Sequence, residues 1–331
     1  MPRRRATLLA APFLLAAAAA SRASAQGAFP SRPLRLVVPF APGGAVDITA
    51  RLLAERLQPT LGQVVVDNRG GAGGNLGADA VAKGEKDGHT LLLGAASILC
   101  ANKFLYRRSM PFDPLRDLAP VTRVTTGTVL LVVNAERPWK TFGELIAAAK
   151  AKPGVLTMGS SGTGTASHLT IEKVKKSAGV DITHVPYRGG GPAIQDLLSG
   201  SIDMMFDVMP AIIPHVREGR FRALAVGSAE RVGYVPEIRD VPGMKELLPD
   251  SGIDMQSWYA IAAPAAVPAD RVQKLHDAFR QVAMSDDFRG RIEPTGFTPV
   301  TDATPAEFGA YWRAQEQVWK ELVDLSGATL D

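Results

Sequence analysis

The chain has 331 residues with 37 basic and 33 acidic side chains, a formal charge of +4, and that surplus sits at its start. Arg3, Arg4 and Arg5 precede an apolar run over residues 6–20, and Ala23-Ser24-Ala25 forms a small-x-small cleavage signal before Gln26. This is the pattern of a bacterial-type secretory signal peptide, residues 1–25, too short to serve as a bilayer anchor. Cleavage would remove Arg3, Arg4, Arg5 and Arg22 and no acid, leaving 33 bases against 33 acids. A neutral mature chain with few aromatics and no basic stripe excludes a nucleic-acid partner, and it leaves any anion selectivity to local groups. The one cysteine, Cys100, excludes an internal disulfide; within "LLLGAASILC" it reads as a buried, inert thiol. No later run is long and apolar enough to insert in a membrane. The expectation is an exported, periplasmic, monomeric protein of two cores. The arginine pair leaves Sec and twin-arginine export both open.

In chain order, "LRLVVPF" (34–40) reads as a buried strand, 46–57 as a helix with Ile48, Leu52, Leu53 and Leu57 on one face, and 64–68 as the next strand. A short helix over 76–84 and a strand over 90–95 complete a β-α-β-α-β run, which implies a parallel sheet covered by helices. "FDPLRDLAPVTRV" is a turn and short helix entering a strand, and 129–134 is strongly apolar. Thr141 and Glu144 announce a helix through a capping box, and Pro153-Gly154 end it. Strands at 155–160, 183–187, 202–208 and 221–227 then alternate with helices from 167 to 177 and from Pro192 to Gly200. The first series is thus repeated in pattern. After a strand over 255–264 come a helix at 269–284 and a last helix capped by Thr304. Its stripe of Phe308, Trp312, Trp319 and Leu322 reads as core packing.

In open α/β sheets, ligands bind beyond the carboxyl ends of the strands. Four such ends here are rich in small residues: Phe40-Ala41-Pro42-Gly43-Gly44; the loop 68–75, which contains Gly73; Ser160-Ser161-Gly162-Thr163-Gly164-Thr165 and on through Ser167; and, after Tyr187, Arg188 to Gly191. Two of them, 40–44 and 160–165, run into helices, whose first N–H groups lack intrahelical partners and carry partial positive charge. Glycine lets a ligand approach that backbone, so these loops are anion sites without a fixed cation. His168 either touches the ligand or fills a helix first turn. Asp207, ending a strand, either accepts from a ligand or bonds within its own turn. Ser97 and Asn102, after the third strand, are weaker candidates.

Templates for catalysis and cofactors are not completed. "GGAGGNLG" places its last glycine, Gly77, one residue late for a dinucleotide fingerprint, and no phosphate-binding Gly-x4-Gly-Lys sequence occurs. "GSSGTG" lacks nucleophile-elbow spacing. His89, His168, His184, His215 and His276 show no paired metal-ligand spacing. No cofactor or metal is expected. A serine hydrolase using Ser160, or Ser161 with His168, is the enzyme alternative.

The segments "SRPLRLVVPFAPGGAVDITARLLAERL", "NRGGAGGNLGADAVAKGEKDGHTLLLG", "FDPLRDLAPVT", "GSSGTGTASHLTIE", "HVPYRGGGPAIQDLLSGSIDMMFD", "RALAVGS" and "SWYAIAAPAAVP" occur in this order over nearly the whole mature chain. Together they resemble the Bug family, the TctC-like substrate-binding proteins of tripartite tricarboxylate transporters. The resemblance implies a type II periplasmic-binding-protein (Venus flytrap) fold: residues 26–127 with 250–331 as one lobe, 128–249 as the other, each a doubly wound, mostly parallel sheet. It implies no enzymatic activity. It implies capture of a small organic acid between the lobes and transient contact with membrane permease subunits, or else presentation of the ligand to a membrane sensor. Carried to matching positions, it points to Phe40, Ala41, Gly43, Gly44, Ser160, Thr163, Gly164, Thr165 and Asp207. Val46 stands where the family often has threonine, and Arg69-Gly70-Gly71 varies the usual basic-Pro-Gly form.

Overall fold

A computed structural model describes residues 29–328 and 330; the expected signal peptide lies outside them. Two mixed sheets with helices packed on them form two α/β lobes. The first sheet has the order β11-β4-β10-β3-β1-β2, from β1 (Leu34–Val38), β2 (Val64–Asn68), β3 (Thr90–Ala95), β4 (Leu118–Gly127), β10 (Ser257–Pro264) and β11 (Phe297–Pro299). The second has the order β7-β6-β8-β5-β9, from β5 (Val129–Asn134), β6 (Thr157–Ser160), β7 (Thr183–Pro186), β8 (Met204–Val208) and β9 (Phe221–Val226).

The two orders are equivalent. β1 pairs in parallel with β2 and β3, as β6 does with β7 and β8. An antiparallel strand is then inserted in each: β10 between β3 and β4, and β5 between β8 and β9. These inserted strands arrive from the opposite lobe and therefore enter against the local direction, which makes both sheets mixed. The two crossings lie side by side, where the Thr128 hydroxyl donates to the Met255 carbonyl at 2.5 Å.

The buried strands LRLVV, TLLLGA and VLLVVN are covered on both faces, as continuous apolar runs require. The longer helices are α1 (Ala45–Leu61), α2 (Asn75–Ala82), α3 (Phe142–Ala151), α4 (Ala166–Ala178), α5 (Gly190–Ser199), α6 (Met209–Arg217), α7 (Ala269–Ala283), α8 (Asp286–Ile292) and α9 (Pro305–Ser326). Strand β1 stops at Val38, short of the expected 40, because Pro39 has no N–H for the ladder. α1 runs past 57 because Leu57 and Leu61 are both buried, which carries the helix through Pro59. α5 begins at Gly190, two residues before Pro192, whose missing N–H matters little in a first turn; Gly200 ends it in the left-handed conformation.

Thr141 and Thr304 cap α3 and α9 by accepting from the Glu144 and Glu307 amides at 3.2 and 3.1 Å. Each glutamate, however, returns its carboxylate to the amide one residue earlier than a capping box would, at Lys140 and Ala303. Phe308, Trp312 and Trp319 are buried and Leu322 packs against them, with the Trp312 indole donating to the Leu99 carbonyl at 3.0 Å. Cys100 is fully buried, and burial pushes its thiol up.

Candidate functional site

The equivalence of the sheets sets the site. The loop after β1 and the loop after β6 occupy corresponding strand ends and feed α1 and α4, so they face each other across the lobes. The first jaw, Phe40–Gly44, is braced from behind by Asp47. Its carboxylate accepts from the Gly43 amide and from Asn68 Nδ2, both at 3.0 Å, and pairs with Arg51. Burial raises the Asp47 pKa, but these bonds outweigh it and hold the group below the usual carboxylate range. Asn68 Nδ2 also donates to the Phe40 carbonyl at 3.1 Å.

The second jaw, Ser160–Thr165, is tied by its own hydroxyls. Thr165 Oγ1 donates to the Gly162 carbonyl at 2.6 Å and lies 2.8 Å from Ser167 Oγ, which is 2.9 Å from Ser161 Oγ. Gly162 and Gly164 adopt φ of 134° and 84°, values that favour glycine.

Two cavities open between the jaws, one on either side of Phe40 and Ser161. The inner one has about 30 Å³ of free space, enough for a carboxyl-sized group. The first residues of three helices meet there: Gly44, Ala45 and Val46 at α1, Thr165 to Ser167 at α4, and Gly190 at α5. Ser97, Asp207, Ser257 and Tyr259 complete its polar wall, and among the described residues no lysine, arginine or histidine lines it. Three partly positive helix ends aimed at one small space suit an anionic group. The outer cavity, about 150 Å³, lies between Gly71–Gly74 and Tyr106 of one lobe and Ser161–Thr163 and Pro186–Arg188 of the other.

Asp207 stands apart from this pattern. It is 1% exposed and accepts at Oδ1 from the Val208 amide at 2.8 Å, while Oδ2 has no partner among the described residues. Burial pushes its pKa up to about 6, against a smaller opposing pull from the Val208 amide and the nearby Ser161 hydroxyl.

The lobes touch along the cleft. The Ala41 amide donates to the Arg188 carbonyl at 2.9 Å. Within one lobe Asn102 Nδ2 donates to the Gly73 carbonyl at 3.1 Å, and across the cleft a β-carbon on Gly73 would lie 2.5 Å from the Thr163 carbonyl oxygen. A β-carbon on Gly164 would meet Asn102 Oδ1 at 2.8 Å. The glycines of the loops therefore serve two ends: positive φ, and backbone contact between lobes.

Residues 49–324 match the family model described as "Tripartite tricarboxylate transporter family receptor", TctC. The chain belongs to this TctC family. Its relatives are solute-binding proteins, and it shares their two-lobed fold. The structure of the periplasmic binding protein BugD is similar at a TM-score of 0.86, with 32% identity, over 91% of this chain and 99% of BugD. An R. palustris protein solved with adipate is 34% identical, at a TM-score of 0.84, over 91% and 100% of the two chains. MatC from Rhodopseudomonas palustris, solved with bound malate, is 32% identical, at a TM-score of 0.82, over 89% and 100%.

Within this TctC receptor the sequence candidates separate into groups. Phe40, Gly44, Ser97, Ser161, Thr165 and Asp207 line the inner cavity; Gly73, Thr163 and Tyr187 line the outer one with Phe40 and Ser161. Ala41, Pro42, Gly43 and Gly164 lie at the lobe contact or in the bracing, and the amides of Ala41, Gly43 and Gly164 are already bonded within the protein. The Tyr187 hydroxyl turns away from the cavity to donate to Asp196 at 2.6 Å. Val46, the family departure, lies on the inner wall.

Ser160 and His168 lie behind the jaw. Ser160 is fully buried with its Oγ 2.7 Å from His184 Nε2, and His168 Nδ1 accepts from the Gly164 amide at 3.1 Å. Neither arrangement builds a hydrolase. Ser160 is not exposed to either cavity, Ser161 bonds Ser167 instead of a histidine, and His184 is held at a pKa of about 4 chiefly by burial, too low for a general base.

The histidines, scattered in sequence, are not all scattered in space. His168 and His184 stack with centroids 4.3 Å apart and planes 18° apart, and Glu172 stands beside them. Three ligand atoms are thus brought together that spacing along the chain did not reveal, because His184 comes from the neighbouring strand β7. Near-parallel rings aim their in-plane lone pairs side by side, and Lys175 bonds Glu172 at 3.1 Å, so the donor set fits a metal ion poorly.

Ser167, Gly190 and Arg188, from strand-end loops that the sequence marks, also line the cavities, as do Ser257, Tyr259 and Tyr106, which the sequence reading did not single out. For Ser257 and Tyr259 the signal was available, since a strand that crosses between lobes must pass the floor of the cleft.

Proposed function

We propose that this protein captures a small organic acid between its lobes in the periplasm, as a monomer, and delivers it to a tripartite tricarboxylate-type membrane transporter. The observation that carries this reading is the inner cavity, where three helix starts converge with no cationic side chain among the described residues on its wall. Backbone donors at converging helix starts are sufficient to hold a carboxylate. The carboxyl group sits in the inner cavity against Gly44, Val46, Thr165 and Ser167, and the rest of the ligand extends past Phe40 and Ser161 to Gly73, Thr163 and Tyr187 in the outer one. The relatives solved with adipate and malate support a carboxylate as the ligand class. Residues 26–127 with 250–331 and residues 128–249 move as the two lobes, hinged where the chain crosses at Thr128 and beside Met255. Among the described residues no helix is long and apolar enough to cross a membrane.

A thermal-shift panel of mono-, di- and tricarboxylates, with solution scattering on the best of them, tests the reading. A binder is expected to raise the melting temperature and reduce the radius of gyration. If no acid in the panel does either, the reading fails.

A further inference from the structure

Asp207 Oδ2 is a buried acceptor without a hydrogen-bond donor among the described residues, on the wall of a cavity suited to an anion. An acceptor left in that state costs about 1–3 kcal/mol, more when charged, so its retention calls for a reason. The bracing of the jaws does not fill this oxygen: the Ser161 hydroxyl stands near Asp207 but makes its hydrogen bond with Ser167 Oγ at 2.9 Å, and the Gly190 backbone comes so close that a β-carbon there would lie 2.1 Å from Oδ2. The other titratable group facing Asp207 is the Tyr259 phenol, itself fully buried.

A ligand carboxylate placed at the helix starts shares this small space with a second carboxylate, and among the described residues no lysine, arginine or histidine lines the wall to offset the pair. A donor on the ligand resolves the conflict, and the size of the space places that donor on a carbon next to the ligand's carboxylate.

Building on the carboxylate-binding reading, we infer that Asp207 Oδ2 accepts a hydrogen bond from a hydroxyl or ammonium group beside the bound carboxylate, so that the preferred ligands are hydroxy- or amino-substituted acids. A site with a buried acceptor of this kind discriminates through the analogue that leaves it unpaired.

Calorimetry at pH 8 on three matched series tests this: propionate, lactate and alanine; succinate, malate and aspartate; adipate and 2-aminoadipate. In the series that fits the cleft, the substituted acid is expected to bind at least tenfold tighter than its unsubstituted parent. Comparing malate with aspartate separates the hydroxyl from the ammonium. In Asp207→Asn the preference for the amino acid is expected to collapse, because the amide cannot offset a cation. If the unsubstituted acid binds as tightly as its partners, or if the preference for the amino acid survives in Asp207→Asn, the inference is overturned while the receptor reading stands. If no acid in any series binds, the receptor reading itself fails and takes the inference with it. The wild-type series decides the question alone should the variant not fold.

Discussion

The backbone of Gly191 meets Pro42 across the cleft so closely that a β-carbon on Gly191 would lie 2.3 Å from the Pro42 carbonyl oxygen. Non-bonded atoms normally rest near 3.5 Å, so a methyl group at this point must part the jaws by roughly 1 Å. Gly191 lies in the first turn of α5 and its φ is not positive, so alanine is compatible with its own lobe. Gly191→Ala is therefore expected to weaken ligand binding by at least tenfold while changing stability by no more than about 1 kcal/mol, since alanine suits a helix better than glycine. Calorimetry and thermal melting of the same sample check both parts. Gly164→Val is a poorer test, because its φ of 84° strains any side chain whatever the state of the cleft.

Asp207 makes the stability of the unliganded protein depend on pH. Its folded-state pKa of about 6 lies above its unfolded value, so the protonated carboxyl favours the fold. That contribution is full below about pH 4 and is lost as pH rises through 6, a difference of roughly 3 kcal/mol at about 1.36 kcal/mol per unit. Asp207→Asn keeps the shape without the charge. It is expected to raise the melting temperature at pH 8 and to leave it nearly unchanged at pH 4. An equal effect at both values would show that Asp207 has the same pKa in the folded and unfolded protein.

The architecture was legible because its signals are local. The apolar runs at Val64–Asn68, Thr90–Ala95 and Val129–Asn134 became strands at the expected boundaries, and Gly200 ended its helix in the left-handed conformation. The jaws were legible because glycine and hydroxyl residues mark strand ends that open onto helices. What stayed hidden depended on pairing between distant segments. The stacking of His168 on His184 needs the register of β6 with β7. Nor could sequence show that the amides of Ala41, Gly43 and Gly164 are engaged, since their partners are Arg188 on the other lobe, a side chain one turn along α1, and His168.

The stacked histidines predict acid sensitivity. Burial is the main cause holding both at a pKa of about 4, with Lys175 adding to the effect, so the neutral rings favour the fold. This contribution is complete above pH 6.5 and is lost as pH falls toward 4; Glu172 is the one acid beside them that opposes the loss. Protonation of His168 at Nδ1 also removes the acceptor of the Gly164 amide and loosens the second jaw. The melting temperature is expected to fall between pH 7 and 4.5, and His184→Gln is expected to reduce that fall by an amount equivalent to roughly 1–2 kcal/mol. An unchanged fall in His184→Gln would assign the acid sensitivity to other groups.

Asp47 predicts a link between bracing and binding. Its carboxylate holds the Gly43 amide and Asn68, and Asn68 in turn holds the Phe40 carbonyl, so one side chain fixes the first jaw at two points. It is 4% exposed and lines neither cavity, so it acts on a ligand only through the loop. Asp47→Ala leaves the Gly43 amide and the Asn68 amide short of an acceptor and is expected to destabilise the protein by about 1–3 kcal/mol. Binding should weaken as well, because a loosened jaw must be ordered by the ligand, and the loss should appear mainly as a less favourable binding entropy. Asp47→Asn retains one acceptor oxygen and should recover part of both effects. A variant that loses stability but binds with wild-type affinity and entropy would show that the first jaw is held without Asp47.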